Sequence, residues 1–310
     1  MTKKIITVIG ATGAQGGGLA RALLTDGEFA VRAVTRKPEG EVAQQLAAAG
    51  AQIVAADVDD AASLQDAFAG AHGAYCVTNY WEHMSAEREI QQVKNLAEAT
   101  QAANVAHVVW STLEDTRKRV PLNDERMPTL HEKYKVPHFD TKGSSDHFFD
   151  SARTTFLLTS FYWDNLIYFG MGPKPDAQGQ LGFVLPMGNK KLPGIAAEDI
   201  GKCAFGVFKR GASTLGKYIG IAGEHLSGAQ MAQALSQALE RPVVHVDPPP
   251  SVYRSFGFPG ADDLGNMFQY KAEFETEFCG ARPLAEARSL NPQILTFSAW
   301  LAKYKSRIPL

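Results

Sequence analysis

Residues 8–24 read VIGATGAQGGGLARALL: a β-branched run breaks into a glycine-rich turn and continues as a helix with an apolar face at Leu19, Leu23 and Leu24. Gly10, Gly13 and Gly16 recur at every third position. In a strand–turn–helix setting the first glycine permits the tight turn and the second lets backbone N–H groups approach a pyrophosphate. The third lets helix and strand pack closely. The helix N-terminus adds its partial positive charge against the phosphates. Gly10, Thr12, Gly13, Ala14, Gln15 and Gly16 are therefore the expected cradle for a dinucleotide.

The chain beyond the turn supports this reading. Strand-like runs at 4–10, 29–35, 52–57, 73–78, 107–112 and 155–160 alternate with helical patterns at 15–26, 40–49, 61–69, 85–103 and 140–152. Six β units separated by helices predict an α/β fold, a Rossmann doubly wound parallel sheet with helices on both faces. After residue 160 the alternation fails. Aromatics cluster in FYWDNLIYF, glycine and proline punctuate 170–194, and helical patterns recur at 196–211, 227–240 and 292–305. The expected organisation is a dinucleotide-binding domain over 1–155, to which a later strand or helix returns. A smaller α/β C-terminal domain, mainly 156–310, would close a cleft over the strand ends.

The end of the second strand selects the dinucleotide. An acidic residue there would bind the ribose 2′-hydroxyl of NAD, but this chain has Thr35, Arg36 and Lys37. A guanidinium grips a 2′-phosphate through two parallel hydrogen bonds, so NADP(H) is the expected cofactor. Asp57, ending the third strand, is a candidate for the adenine side or for capping the next helix. Thr78 and Asn79, ending the fourth, are candidates for the ribose side. A net charge of −2 argues against direct nucleic-acid binding or anionic membranes. Three scattered cysteines with no C-x-x-C fit a reducing cytoplasm. MTKKIITVIG reads as a first strand rather than a signal peptide, and no run approaches the ~18 apolar residues of a membrane span. The histidines lack metal-ligand spacing, so no metal is expected.

Several segments resemble the NmrA-like branch of the atypical short-chain dehydrogenase/reductases. They are the G-x-x-G-x-x-G turn, the T-R-K after the second strand, VTNYWE (77–82), HFDTKG (138–143), GIAAEDIGK (194–202) and GFPGADDLGNMF (257–268). The likeness is strongest to the members that act as NADPH sensors. It implies a Rossmann domain holding NADP(H) and a small C-terminal domain forming a cleft. Some members regulate protein partners, whereas others reduce small molecules.

The resemblance also isolates one departure. Typical short-chain dehydrogenases carry Tyr-x-x-x-Lys, in which the lysine holds the nicotinamide ribose and the phenol relays a proton. Here the same spacing reads His138-Phe-Asp-Thr-Lys142. Lys142 keeps the ribose role, and His138 is either a substitute acid or a cleft-lining residue. A histidine's ordinary pKa of ~6.5 suits proton transfer near neutrality. Ser111 or Thr112 is the expected hydroxyl partner. Phe161, Tyr162 and Trp163 read first as core packing, with walling the nicotinamide pocket as the alternative, and Phe161 is the one expected at the cofactor. With the tyrosine missing, the leading expectation is a redox sensor that regulates a partner protein. The alternative is an NADPH-dependent reductase of a small carbonyl, imine or conjugated substrate.

Overall fold

The computed structural model describes residues 2–310. The opening IITV forms β1 (Ile5–Val8), whose Ile6, Thr7 and Val8 are buried as befits a central parallel strand. α1 (Ala14–Asp26) comes next and stops at Gly27. The alternation continues through β2 (Ala30–Thr35), α2 (Glu41–Ala48), β3 (Gln52–Ala55), α3 (Ala61–Phe68), β4 (Gly73–Cys76), α4 (Ala86–Ala102), β5 (His107–Thr112), α5 (Pro137–Ser145) and β6 (Thr154–Leu158). Side-chain caps fix two helix starts. Asp60 accepts from the N–H groups of Ala62 and Ser63 at α3, and Ser85 accepts from Arg88 N–H at α4.

α5 differs from the expected 140–152 helix at both ends. It opens at Pro137, whose fixed φ and missing N–H suit a first helical turn. It ends at Ser145 because Asp146 turns inward, accepting from Trp110 Nε1 at 2.9 Å, Thr112 Oγ1 at 2.6 Å and Tyr218 Oη at 2.9 Å.

The rest of the chain supplies β7 (Phe161–Tyr162), α6 (Asn165–Tyr168), β8 (Lys174–Pro175), β9 (Leu181–Val184), β10 (Lys191–Ile195), α7 (Ala197–Arg210), β11 (Tyr218–Gly220) and β12 (Glu224–Ser227). It closes with α8 (Gly228–Leu239), β13 (Val243–Val246), α9 (Pro250–Arg254), α10 (Ala261–Glu273), α11 (Glu275–Gly280), α12 (Leu284–Leu290) and α13 (Phe297–Tyr304). Seven strands form the central sheet in the order β11-β6-β5-β4-β1-β2-β3, every pairing parallel. Strand order reverses between β1 and β4, and a doubly wound sheet opens its ligand crevice at the carboxyl ends of the strands at such a point. β11 is the strand that returns from the second half. Its three residues are too few for a periodic signal.

α7 returns as well and lies against α1, which explains one of the clustered glycines. A Cβ on Gly18 would sit 2.4 Å from Glu198 O, and one on Gly201 only 2.1 Å from Leu19 N. Gly18 therefore serves helix packing. Two small three-stranded sheets, β12-β10-β7 and β13-β9-β8, build the C-terminal half. Its core gathers Trp163, Phe183, Met231, Phe268, Phe297 and Trp300. No helix among the described residues is long and apolar enough to cross a membrane.

Candidate functional site

A cleft of about 1250 Å³ runs over the carboxyl ends of the central strands and under the C-terminal half. At one end lies the β1–α1 turn. Gly10 has φ +63°, a left-handed conformation that favours glycine, and a Cβ on Gly16 would sit 2.4 Å from Gly10 O. Gly13 caps α1 without any side-chain acceptor, so the first-turn N–H groups are left to whatever enters the cleft. Thr12, Gly13 and Ala14 line this end. A turn stripped of side chains beneath a helix N-terminus fits a pyrophosphate.

Gln15 lines the cleft too, but its side chain is already engaged. Its carbonyl oxygen accepts from Tyr75 Oη and from Ser111 Oγ, the latter at 2.8 Å, while its amide donates to Tyr162 Oη. The Ser111 hydroxyl is thereby committed to Gln15. Thr112 is committed to Asp146. Both residues line the cleft, but each hydroxyl donates its proton within the protein and so meets a ligand there as an acceptor.

Arg36 and Lys37 reach the cleft beyond β2. The Arg36 guanidinium makes a two-pronged pair with Glu82, in the 3-10 turn Tyr80–Glu82, with Nη2 at 3.1 Å from Oε2. Their side chains are 51% and 42% exposed, so the pair is worth only ~0–1 kcal/mol and an incoming phosphate can replace it. Asp57 is not brought to the cleft wall, although Ala56 and Val58 on either side are. Its carboxylate accepts from Asp59 N–H at 3.0 Å, and Asp60 rather than Asp57 caps α3.

Thr78, Asn79, His138 and Lys142 converge in the middle of the cleft, beside Phe161 and Tyr162. Trp163 does not join them and packs against Phe297 in the C-terminal core. Lys142 Nζ donates to Thr78 O at 3.1 Å and Thr78 Oγ1 at 2.5 Å, and pairs with Glu89 Oε1 at 2.8 Å. Burial alone would raise the Glu89 carboxyl. Lys142, His83 and Thr78 outweigh it and bring the group down to about 2. Glu89 thus holds the Lys142 ammonium as a buried carboxylate. Sequence reading missed it because an acidic residue inside a long polar helix looks solvated.

His138 opens α5 one turn before Lys142, on the same helix face. Its Nδ1 lies 2.6 Å from Asp263 Oδ1 on α10, and its backbone N–H donates to Asp263 Oδ2 at 3.2 Å. The carboxylate keeps the Nδ1 proton in place, so Nε2 is the atom left to exchange one; it makes no hydrogen bond among the described residues. Trp81 lies 4.7 Å from the imidazole, ring centre to ring centre, and Phe169 a further 5.4 Å from Trp81. Asp263 is the second functional residue missed. It sits inside GFPGADDLGNMF, but nothing local ties it to a histidine 125 positions earlier.

Known proteins resemble this chain in sequence or in fold. The NmrA-like family profile matches residues 2–301. The chain is 30% identical over 297 residues to the NmrA-like family domain-containing oxidoreductase cpsB of Aspergillus campestris, covering 91% of this chain and 86% of that one. It is 31% identical over 220 residues to the corresponding oxidoreductase FrzB of a Cladobotryum species, covering 66% of this chain and 64% of that one. Among solved structures, NmrA, a negative transcriptional regulator, in complex with NADP superimposes with a TM-score of 0.77 at 24% identity, covering 98% and 95% of the two chains. The triphenylmethane reductase of a Citrobacter species, complexed with NADP(H), gives 0.72 at 17% identity, covering 98% and 99%.

Proposed function

The chain belongs to the NmrA-like family, and from that premise we propose that it is an NADP(H)-dependent oxidoreductase that reduces a small carbonyl, imine or conjugated substrate. The observation that carries the proposal is the His138–Asp263 pair, in which a carboxylate engages Nδ1 of a cleft-lining histidine one helical turn before Lys142. The oxidoreductase names of the relatives and the NADP(H)-bound reductase among the neighbours support the same reading, whereas the NADP-bound NmrA is named a negative transcriptional regulator.

When bound, the dinucleotide supplies a hydride. The first-turn N–H groups of α1 would hold its pyrophosphate, and Arg36 would exchange Glu82 for the 2′-phosphate. Lys142, held by Glu89 and Thr78, would donate to the nicotinamide ribose by giving up one of its two Thr78 contacts. His138 Nε2 gives a proton to the substrate oxygen or nitrogen as negative charge develops there, and Asp263 stabilises the imidazolium before the transfer. Hydride transfer to a conjugated carbon asks less of His138 than carbonyl reduction does. Phe161, Trp81 and Phe169 supply apolar walls that exclude water.

A regulatory reading has an observation of its own. The Arg36–Glu82 pair links the 2′-phosphate position to the turn carrying Trp81, which packs on His138 and on Phe169 of the C-terminal half. Cofactor occupancy would then reach the surface offered to a partner protein. One experiment separates the two. NADPH oxidation is followed with aldehydes, quinones, imines and triarylmethane dyes, after calorimetry has established NADPH binding. Turnover of at least one member, lowered ~10²–10⁴-fold in His138→Ala, is the expected result. Tight NADPH binding without turnover of any member would leave the regulatory reading standing.

A further inference from the structure

Beyond the nicotinamide position, α10 lays Leu264, Met267 and Lys271 along the cleft wall. Lys271 is the anomaly. It is 3% exposed, and among the described residues it has no carboxylate at ion-pair distance and only Met267 Sδ, at 3.2 Å, as a hydrogen-bond partner. Three phenyl rings surround Nζ: Phe139 and Phe278 with centroids at 5.3 Å, and Phe268 at 6.0 Å. The rings favour the ammonium through their faces, but they cannot replace the hydrogen bonds it leaves in water. The charged groups that act on it are Glu114, which favours the ammonium, and Arg282, which opposes it. Those two pair with each other, Nη1 to Oε1 at 2.5 Å, so Glu114 is largely neutralised. Burial first and Arg282 second bring Lys271 down to about 7. Nothing in the proposed chemistry uses this residue.

We infer that Lys271 is the anion-recognition point of the substrate chamber, and that the molecule bound beside the dinucleotide is an apolar or aromatic body carrying a carboxylate. The inference rests on the cleft's being a substrate chamber, as proposed above. A carboxylate supplies the acceptors that Lys271 lacks, while Phe139, Leu264 and Met267 accept the apolar body. A phosphate monoester fits poorly, because its second charge and further oxygens would meet one ammonium and an aromatic wall. Because an anion favours the charged lysine, binding is accompanied by proton uptake above pH 7.

The test is calorimetry on the full chain saturated with NADP+. Benzoate, phenylacetate and 3-phenylpropanoate are each compared with the matching amide, at pH 6 and pH 8, in buffers of different ionisation heat. At least one carboxylate should bind about 10- to 100-fold tighter than its amide, taking up close to one proton at pH 8 and little at pH 6. Lys271→Met should abolish both the preference and the uptake, with NADP+ binding reporting that the variant is folded. Equal affinities within every wild-type pair, no heat from any of the six compounds, or a preference surviving in Lys271→Met would overturn the inference. Failure of the oxidoreductase reading looks different: the carboxylate preference would persist while no carbonyl, imine or quinone is reduced. Turnover of neutral substrates without any carboxylate preference would overturn the role of Lys271 alone.

Discussion

Replacing Asp263 by asparagine tests the proton relay without changing the shape of the site. Asp263 is 4% exposed and makes two contacts with His138, at 2.6 Å to Nδ1 and 3.2 Å to the backbone N–H. An asparagine keeps an acceptor for the backbone N–H, but its amide can donate to Nδ1 and so move the imidazole proton to Nε2. It also withdraws the charge that stabilises the imidazolium, a change that can cost ~10⁴-fold where a histidine relay depends on it. The expected loss in kcat is ~10²–10⁴-fold, in the range of general acid–base catalysis. NADPH affinity should be unchanged, because Asp263 is absent from the cofactor end of the cleft. A purely structural carboxylate would behave differently. Losing one hydrogen bond to a charged group lowers stability by ~1.5–3 kcal/mol, a drop of several degrees in Tm, and leaves turnover intact. Single-turnover NADPH oxidation with a saturating substrate, run beside a thermal melt, distinguishes these outcomes. A variant that melts lower but turns over within ~3-fold of wild type would refute the relay.

The geometry leads to three further outcomes. Arg36→Asp should erase or invert a preference for NADPH over NADH of roughly 10–150-fold, whereas Glu82→Ala should tighten NADPH by freeing the guanidinium; parallel titrations with both nucleotides check the pair. Gly16→Val should abolish binding of either nucleotide and destabilise the fold, since even its Cβ would lie 2.4 Å from Gly10 O, and melts with and without NADPH read both effects. The Glu89 carboxyl is ordinarily near 4.5 and is brought to about 2 in the folded protein, so it contributes stability above pH 4.5 that is lost as pH falls toward 2. Lys142→Met strands that carboxylate, lowering stability at pH 7 by ~3–5 kcal/mol, and the deficit should shrink in acid denaturation curves.

The features legible in the sequence were local. The strand–glycine–helix turn, the T-R-K after β2 and the alternation of periods are each contained within a few neighbouring residues. The parallel sheet, the cradle and Arg36 at the cleft therefore arise from short-range chemistry. The middle of the cleft depends on contacts between distant segments. Glu89 meets Lys142 from α4, and Asp263 meets His138 from α10; each partner sits among other polar residues where nothing distinguishes it. Lys271 ends a mixed stretch, LGNMFQYK, and gave no sign of lacking a counter-ion. Gly18 carried two meanings. It follows the glycine turn directly, yet what requires it is the Glu198 backbone of a helix far along the chain, which occupies the space a side chain would need. Thr112 shows the converse, a chemically suitable hydroxyl at the cleft whose proton goes to Asp146.

The measurement that tests the central claim most directly is isotope transfer. Protein is supplied with NADPH deuterated at one face of C4 of the nicotinamide, or at the other, together with the best substrate of the panel, and the product is weighed by mass spectrometry. A substrate held in this cleft against a fixed cofactor predicts one deuterium in the product from one isotopomer and none from the other. NADPH loss with no deuterium in the product from either isotopomer, or no product at all while NADPH binds tightly, would contradict the claim that this cleft reduces a substrate.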